Sequence, residues 1–286
     1  MPTFRVAALW RYPVKTLAGE QLTTADIGPE GIAGDRLVWV CGPEAVRTSR
    51  RHHRLLGLKG TLNADNYPLI DGHRWDSPEA LALVQDAAGS DAWLEESDGL
   101  NRFDVLPLLV ATDGAVAAFG RDVRRLRPNI LIGGVEGLAE RQWPGAELHI
   151  GDVIVRLESL RSRCPMTTVD PDTLQRDPEV LRDIGRRFGG YLALDAAVVR
   201  GGRISVGDPG TLHPADLAGR ATLTKPDSAL PAYAEVEAQR SYSSSISMSA
   251  TTTASIFRVR RFQPFDIRQG EKHGGESAFG RHAVEV

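Results

Sequence analysis

Val153-Ile154-Val155-Arg156-Leu157-Glu158-Ser159-Leu160 runs directly into Arg161-Ser162-Arg163-Cys164-Pro165-Met166-Thr167-Thr168-Val169-Asp170-Pro171. The first stretch has the β-branched and apolar content of a strand. The second sets two prolines among arginines and hydroxyls, the content of a shaped loop. Together they predict a β-scaffold that carries a thiol at the end of a strand. Segments of β-type content recur outward at 4–10, 21–27, 36–40, 104–112, 191–199 and 203–206, each bounded by Gly, Pro, Asp or Asn. Short punctuated strands at regular spacing are how barrels and sandwiches read. Helical patterns are fewer. Asp177 is a helix N-cap followed by proline at the first helical position, and Val180, Leu181, Ile184 and Phe188 then recur at helical spacing up to Gly189. Further helices are expected over 113–119 and 78–87. The expected fold class is mainly β with some helices (α+β), a few helices laid over barrels.

The 286 residues suffice for one large or two modest domains, and a net charge of -3 argues against general binding of nucleic acid or other polyanions. The cations comprise 30 Arg and 4 Lys, so a local pocket has forked, bidentate phosphate ligands at hand. Cys41 and Cys164 are the only two cysteines, too few and too far apart for a disulfide framework, a zinc knuckle or an iron–sulfur site. A reducing, cytoplasmic setting is expected. The start, MPTFRVAALWRYPVK, lacks the apolar core of a signal peptide, and no later run approaches the roughly eighteen apolar residues of a membrane span. Residues 241–256 hold ten Ser or Thr in sixteen positions, which predicts a flexible extension over 211–286. Within it, the arginines of Phe257-Arg258-Val259-Arg260-Arg261-Phe262 read as a solvated charge cluster.

Cys164 carries the chemistry. A lone cysteine is most often a small buried hydrophobe, but that leaves the arginines and hydroxyls around it without a role. Arg161 and Arg163 give the thiol the cationic setting of a soft-metal ligand or a sulfur nucleophile. Three other segments share the theme. Tyr12-Pro13-Val14-Lys15-Thr16 sets a cation beside a hydroxyl, Gly31-Ile32-Ala33-Gly34-Asp35-Arg36 is a glycine turn ending in a charged pair, and Leu126-Arg127-Pro128-Asn129-Ile130 places an arginine and an amide at the mouth of a strand. Such groups suit a phosphorylated, polar organic ligand. Taken singly, Lys15 reads as a surface charge, Arg36 as a partner for Asp35 and Asn129 as a turn residue.

In this order, and with R-C-x-x-T-T-V-D-P and a closing Val206-Gly207-Asp208-Pro209, the motifs resemble the MOSC family, named for the C-terminal domain of molybdenum cofactor sulfurase, together with its N-terminal β-barrel partner. The likeness runs from about Arg5 to Pro209 and is nearest in pattern to the amidoxime-reducing proteins. It implies an N-terminal barrel-like domain over 1–105 and a MOSC domain over 106–210 whose barrel N-terminal strands complete. Cys164 matches the cysteine that ligates molybdenum beside a pterin dithiolene. Lys15, Thr16, Arg36, Arg127, Ser162 and Arg163 match positions that hold the pterin and its phosphate, Thr112 and Asn129 lie in the same cradle, and Asp170 orients ligands or relays a proton near the metal. Threonine at 16 stands where serine is more frequent, and Arg50-Arg51-His52-His53-Arg54-Leu55 replaces a short turn at the substrate entrance.

The resemblance implies a molybdenum–molybdopterin oxidoreductase that removes oxygen from amidoximes, hydroxylamines or N-hydroxylated bases. With no ferredoxin-like domain after the MOSC region, electrons are expected from a separate protein: a flavin reductase, a cytochrome b5-like protein or a ferredoxin. The alternative is a carrier of cofactor or of sulfur, as a persulfide on Cys164. Pyridoxal phosphate is associated with the family through its desulfurase relatives. No segment here resembles a Schiff-base lysine loop, and Lys59, Lys225 and Lys272 lack such a setting.

Overall fold

The computed structural model describes residues 3–97 and 99–214. Seven strands close into a barrel: β1 (Thr3–Arg11), β2 (Leu108–Thr112), β3 (Ile130–Gly133), β4 (Glu147–Ile150), β5 (Val153–Ser162), β6 (Tyr191–Arg200) and β7 (Pro209–His213). Around the barrel the order is β3-β2-β6-β5-β4-β7-β1, and β1 then pairs with β3 to close it. All neighbours are antiparallel except β2 and β3, which run parallel through the crossover that contains α2 (Asp113–Phe119). Closure leaves none of these strands with an open edge of its own in the ring.

The barrel fills with the inward residues of each strand. In β1 these are Phe4, Val6 and Leu9, and the change from even to odd positions falls at a bulge between Val6 and Ala8, where the register with β3 shifts. Leu108, Val110, Ile130, Ile132, Leu148, Ile150, Val155, Leu157 and Leu194 complete the core, with the rings of Phe4 and Trp143 5.1 Å apart at one end. Truncating a fully buried leucine such as Leu148 to alanine costs about 2–5 kcal/mol in cores of this kind.

Among the described residues, the two larger of three further apolar clusters flank it. Val14, Leu17, Val38, Val40, Leu55, Ile70 and the apolar face of α1 (Pro78–Ala88) form one. Ala115 and Phe119 of α2 pack on Val180, Ile184 and Phe188 of α3 (Pro178–Phe188) to form the other. Each helix begins and ends as its sequence dictates. The Asp177 carboxylate accepts from the Glu179 N–H at 3.0 Å, Pro178 follows, and Gly189 closes α3 in the left-handed region at φ 64°.

Three expected segments differ. The run 21–27 is two strands: Glu20–Leu22 pairs with β1, whereas Thr24–Gly28 pairs with Gly202–Ser205, because the chain leaves the barrel edge at Thr23. The run 104–112 becomes strand only at Leu108, since Pro107 has no N–H to give a ladder and residues 103–106 cross to the functional cleft. The extension expected from residue 211 starts inside β7: Thr211, Leu212 and His213 pair with β4, and Leu212 packs against the barrel core. A polar composition averaged over the tail hides a three-residue strand end whose partners lie far away in sequence. The Ser/Thr-rich run 241–256 and the arginine cluster 257–262 lie outside the described residues.

Candidate functional site

The keystone is Asp35, fully buried at the end of the glycine turn. One of its carboxylate oxygens accepts from the Tyr12 N–H at 2.6 Å, while the other accepts from Asn129 Nδ2 at 3.2 Å and pairs with Arg36. Three of the motifs legible in the sequence are therefore tied to one another through a carboxylate. Asn129 is spent on this frame, since its Oδ1 accepts from the Leu109 N–H at 3.1 Å.

Around that frame the chain projects its cations. Arg36 and Arg127 hold φ of 54° and 56°, and Thr16 holds 80°, conformations that cost non-glycine residues energy and that cluster at functional sites. The Arg127 guanidinium lies 4.2 Å from the centre of the Tyr12 ring, whose hydroxyl donates to the Pro128 carbonyl at 3.0 Å. No carboxylate among the described residues forms an ion pair with Arg127. Burial pushes its pKa below the usual guanidinium value. Arg163 is in the same state: Nη2 donates to the Leu126 carbonyl at 2.8 Å, Nε is buried with no partner, and burial lowers its pKa to about 10. Two guanidinium groups held partly out of water without an anion are costly unless something anionic joins them.

Cys164 stands where the chain leaves β5. Its carbonyl accepts from the N–H of Thr167 at 3.1 Å and from the Thr167 hydroxyl at 2.9 Å, so the loop fixes the half-buried thiol in place. Cys41 is the contrast. Buried against Glu95, it is pushed up to about 11, first by burial and then by that carboxylate, and stays a neutral thiol.

Arg36, Arg127, Ser162, Arg163 and Cys164 share the walls of one cleft with Asp104, Arg125, Arg161, Met166 and Asp195. Lys15 reaches it through Asp104, at 2.9 Å. The cleft holds only about 80 Å³, but across Arg125, Arg127 and Met166 it adjoins a second of about 380 Å³, walled by Trp10, Tyr12 and Gln21. Among the described residues no three His, Cys, Asp or Glu side chains converge as a metal site.

Four expected site residues have other partners. The Thr16 hydroxyl bonds to Ser49 Oγ at 2.7 Å and is buried away from the cleft. Thr112 caps α2, accepting from the Ala115 N–H and donating to Glu140, and Asn129 serves the frame. Asp170 accepts from the Thr173 and Asp172 N–H groups, which hold its carboxyl below the usual range, and from Arg125 at 2.7 Å. It stays ionised and steadies Arg125, which lines the cleft. Sequence reading missed Asp104, Arg125 and Asp195, and it took Asp35 only as a partner for Arg36, not as the carboxylate that ties the frame together. The place of Asp35 between Gly34 and Arg36 was the signal for that pair, and the other three carried none.

Comparison with known proteins gives consistent matches along the described chain. The MOSC domain family model matches residues 113–211, and that of the MOSC N-terminal beta barrel domain matches residues 3–112. Mitochondrial amidoxime-reducing component 1 of Mus musculus is 33% identical over 71% of this chain and 81% of its own length. The Homo sapiens protein of that name is 26% identical over the same shares, and Homo sapiens mitochondrial amidoxime reducing component 2 is 37% identical over 24% of this chain and 22% of its own. No helix among the described residues is long and apolar enough to cross a membrane.

Proposed function

Because the chain belongs to the MOSC family and carries the MOSC N-terminal barrel domain, we propose that it is a molybdenum-cofactor enzyme that reduces N-hydroxylated compounds: amidoximes, hydroxylamines or N-hydroxylated bases. One observation carries this reading: a half-buried thiol, Cys164, shares a cleft with two guanidinium groups, Arg127 and Arg163, that form no ion pair with a carboxylate among the described residues. A single thiolate cannot build a metal site, so the remaining donors must arrive with the ligand. A phosphorylated ligand that brings sulfur donors and a soft metal fits both halves of the site.

When bound, the molybdenum–molybdopterin group would supply two-electron reduction of the N–O bond. The protein's part is position and charge. Cys164 would ligate the metal as an anionic thiolate, and Arg36, Arg127 and Arg163 would balance the negative charge of the pterin phosphate. Ser162, exposed beside them, would donate to the same ligand. Asp170 acts as a positioning residue through Arg125, because a carboxyl held ionised by two backbone N–H groups is a poor proton donor near neutrality. The second cleft, with aromatic walls of Trp10 and Tyr12, would admit the substrate, and electrons would come from a separate donor protein.

The test compares the full chain with Cys164→Ala, both purified from a host that makes the cofactor. Elemental mass spectrometry should find close to one molybdenum per wild-type chain and almost none in the variant. Reduction of benzamidoxime by a chemical donor should follow the metal. Turnover retained by Cys164→Ala would overturn the assignment.

A further inference from the structure

Asp104 receives more cations than any other carboxylate beside the cleft. Lys15 Nζ lies 2.9 Å from it, Arg50 Nη2 3.2 Å and Arg161 Nη2 3.7 Å. A ring of cations around one anion is how proteins hold a phosphate group, and here the anion belongs to the chain itself. The segment that brings it is a strap. At one end Arg102 donates to Glu30 Oε2 at 2.6 Å; at the other Pro107 rests so close to Gly31 that a Cβ there would come within 2.9 Å of its carbonyl oxygen. Both anchors thus grip the same turn. Between them residues 103–106 make no backbone hydrogen bond to another element among the described residues, and Val105 is 56% exposed. Asp104, Val105 and Leu106 nevertheless form a wall of the Cys164 cleft, which at about 80 Å³ is well below the roughly 300–1,000 Å³ of sites that hold organic ligands.

We propose that Lys15, Arg50 and Arg161 form a phosphate-binding subsite, and that Asp104 fills it as an internal counter-anion until a phosphorylated ligand displaces the strap. The subsite adds Arg50 and Arg161 to the groups that meet the ligand's anionic end. The exchange favours the ligand, because a phosphate monoester carries about -1.5 to -2 charges against the single charge of a carboxylate. Displacing the strap also removes Asp104, Val105 and Leu106 from the wall of the cleft. The inference rests on the proposed function for the identity of the ligand, but not for the exchange itself.

The exchange can be tested without molybdenum, on the full chain purified free of cofactor, with inorganic pyrophosphate as the probe. By titration calorimetry at low ionic strength, Asp104→Asn should bind the probe about tenfold more tightly than wild type, and Arg50→Gln about tenfold more weakly. Equal or weaker binding by Asp104→Asn, no loss in Arg50→Gln, or no binding by any of the three would overturn the proposal. Should Asp104→Asn fail to fold, hydrogen exchange of wild type decides. Saturating pyrophosphate should speed exchange at residues 103–106, and unchanged or slower exchange there would overturn the strap. Because none of these readouts involves reduction, failure to reduce benzamidoxime would sink the proposed activity and leave the strap standing.

Discussion

Arg127 shows how a single residue can be costly to the fold and useful to the site. Its left-handed backbone and unpaired guanidinium are offset in part by the stack on Tyr12. Arg127→Met removes both the stack and the stranded charge, so the stability of the cofactor-free protein, read from urea unfolding, should change by less than about 1 kcal/mol. Molybdenum retention, measured on the same variant, should fall about tenfold or more. The two cysteines should separate in the opposite sense. Cys41→Ser puts a hydroxyl into the buried site beside Glu95 and should cost about 1–3 kcal/mol in urea unfolding while leaving the metal content intact. Cys164→Ser should lose the metal with little change in stability. At this scale the sequence was readable where the chemistry is distinctive: a thiol between arginines, a lysine beside a hydroxyl. It was not readable where a carboxylate's partners are set by tertiary approach, as for Asp35, which meets Asn129 across 94 positions. Asn129 and Thr112 were read as ligand groups because an amide and a hydroxyl look the same in sequence whether they face a ligand or a backbone N–H.

Elements were legible to the extent that their signals are local. The cap, proline and glycine of α3 all lie within its own thirteen residues, and the helix spans Pro178–Phe188 as that pattern requires. Asp177→Ala should remove the capping acceptor and lower stability by about 1 kcal/mol, read from urea or thermal unfolding. Strand ends were less legible, because a strand stops where its partner stops. β7 reaches His213 because β4 offers Glu147 there, a pairing across 66 positions that composition cannot register. Leu212→Asp tests that end. It should cost about 2 kcal/mol, since the carboxylate would face the barrel core; an unchanged urea midpoint would mean that these last residues do not belong to the barrel. The strap was lost for the same reason, for its β-type residues read as strand until Pro107 is seen against Gly31.

Across the whole molecule, the charge pattern sets the response to acid. Partial desolvation alone would raise Asp104, whose side chain remains 41% exposed, but Lys15, Arg50 and Arg161 hold it below the usual range; Arg124 does the same for Asp122 and Arg203 for Asp26. The stability from these depressed carboxyls is present above the ordinary carboxylate pKa of about 4 and is lost as pH falls through their lower native values. Asp195 and Glu140 run the other way: burial raises both, so mild acid favours the fold through them. His52, lowered first by burial, opposes that gain, because the unfolded chain takes up its proton first as pH falls. The urea midpoint should therefore change little from pH 7 to about 5 and fall steeply below about pH 4; a steady fall from neutrality would contradict these signs. β1 has a consequence of its own. It is paired on one side with β3 and on the other with β7, whose Thr211 meets Thr3. A ribosome adding about 5–20 residues per second releases these partners some ten to forty seconds apart. For that interval only the Leu9–Arg11 end of the first strand has a partner on that edge, Glu20–Leu22, and its Thr3–Arg5 end is left open, the kind of edge that templates aggregation. Barrel closure is thus a late, long-range event in the life of the chain, and in a crowded cell the yield of active protein will be set by how well that first strand is sheltered while it waits.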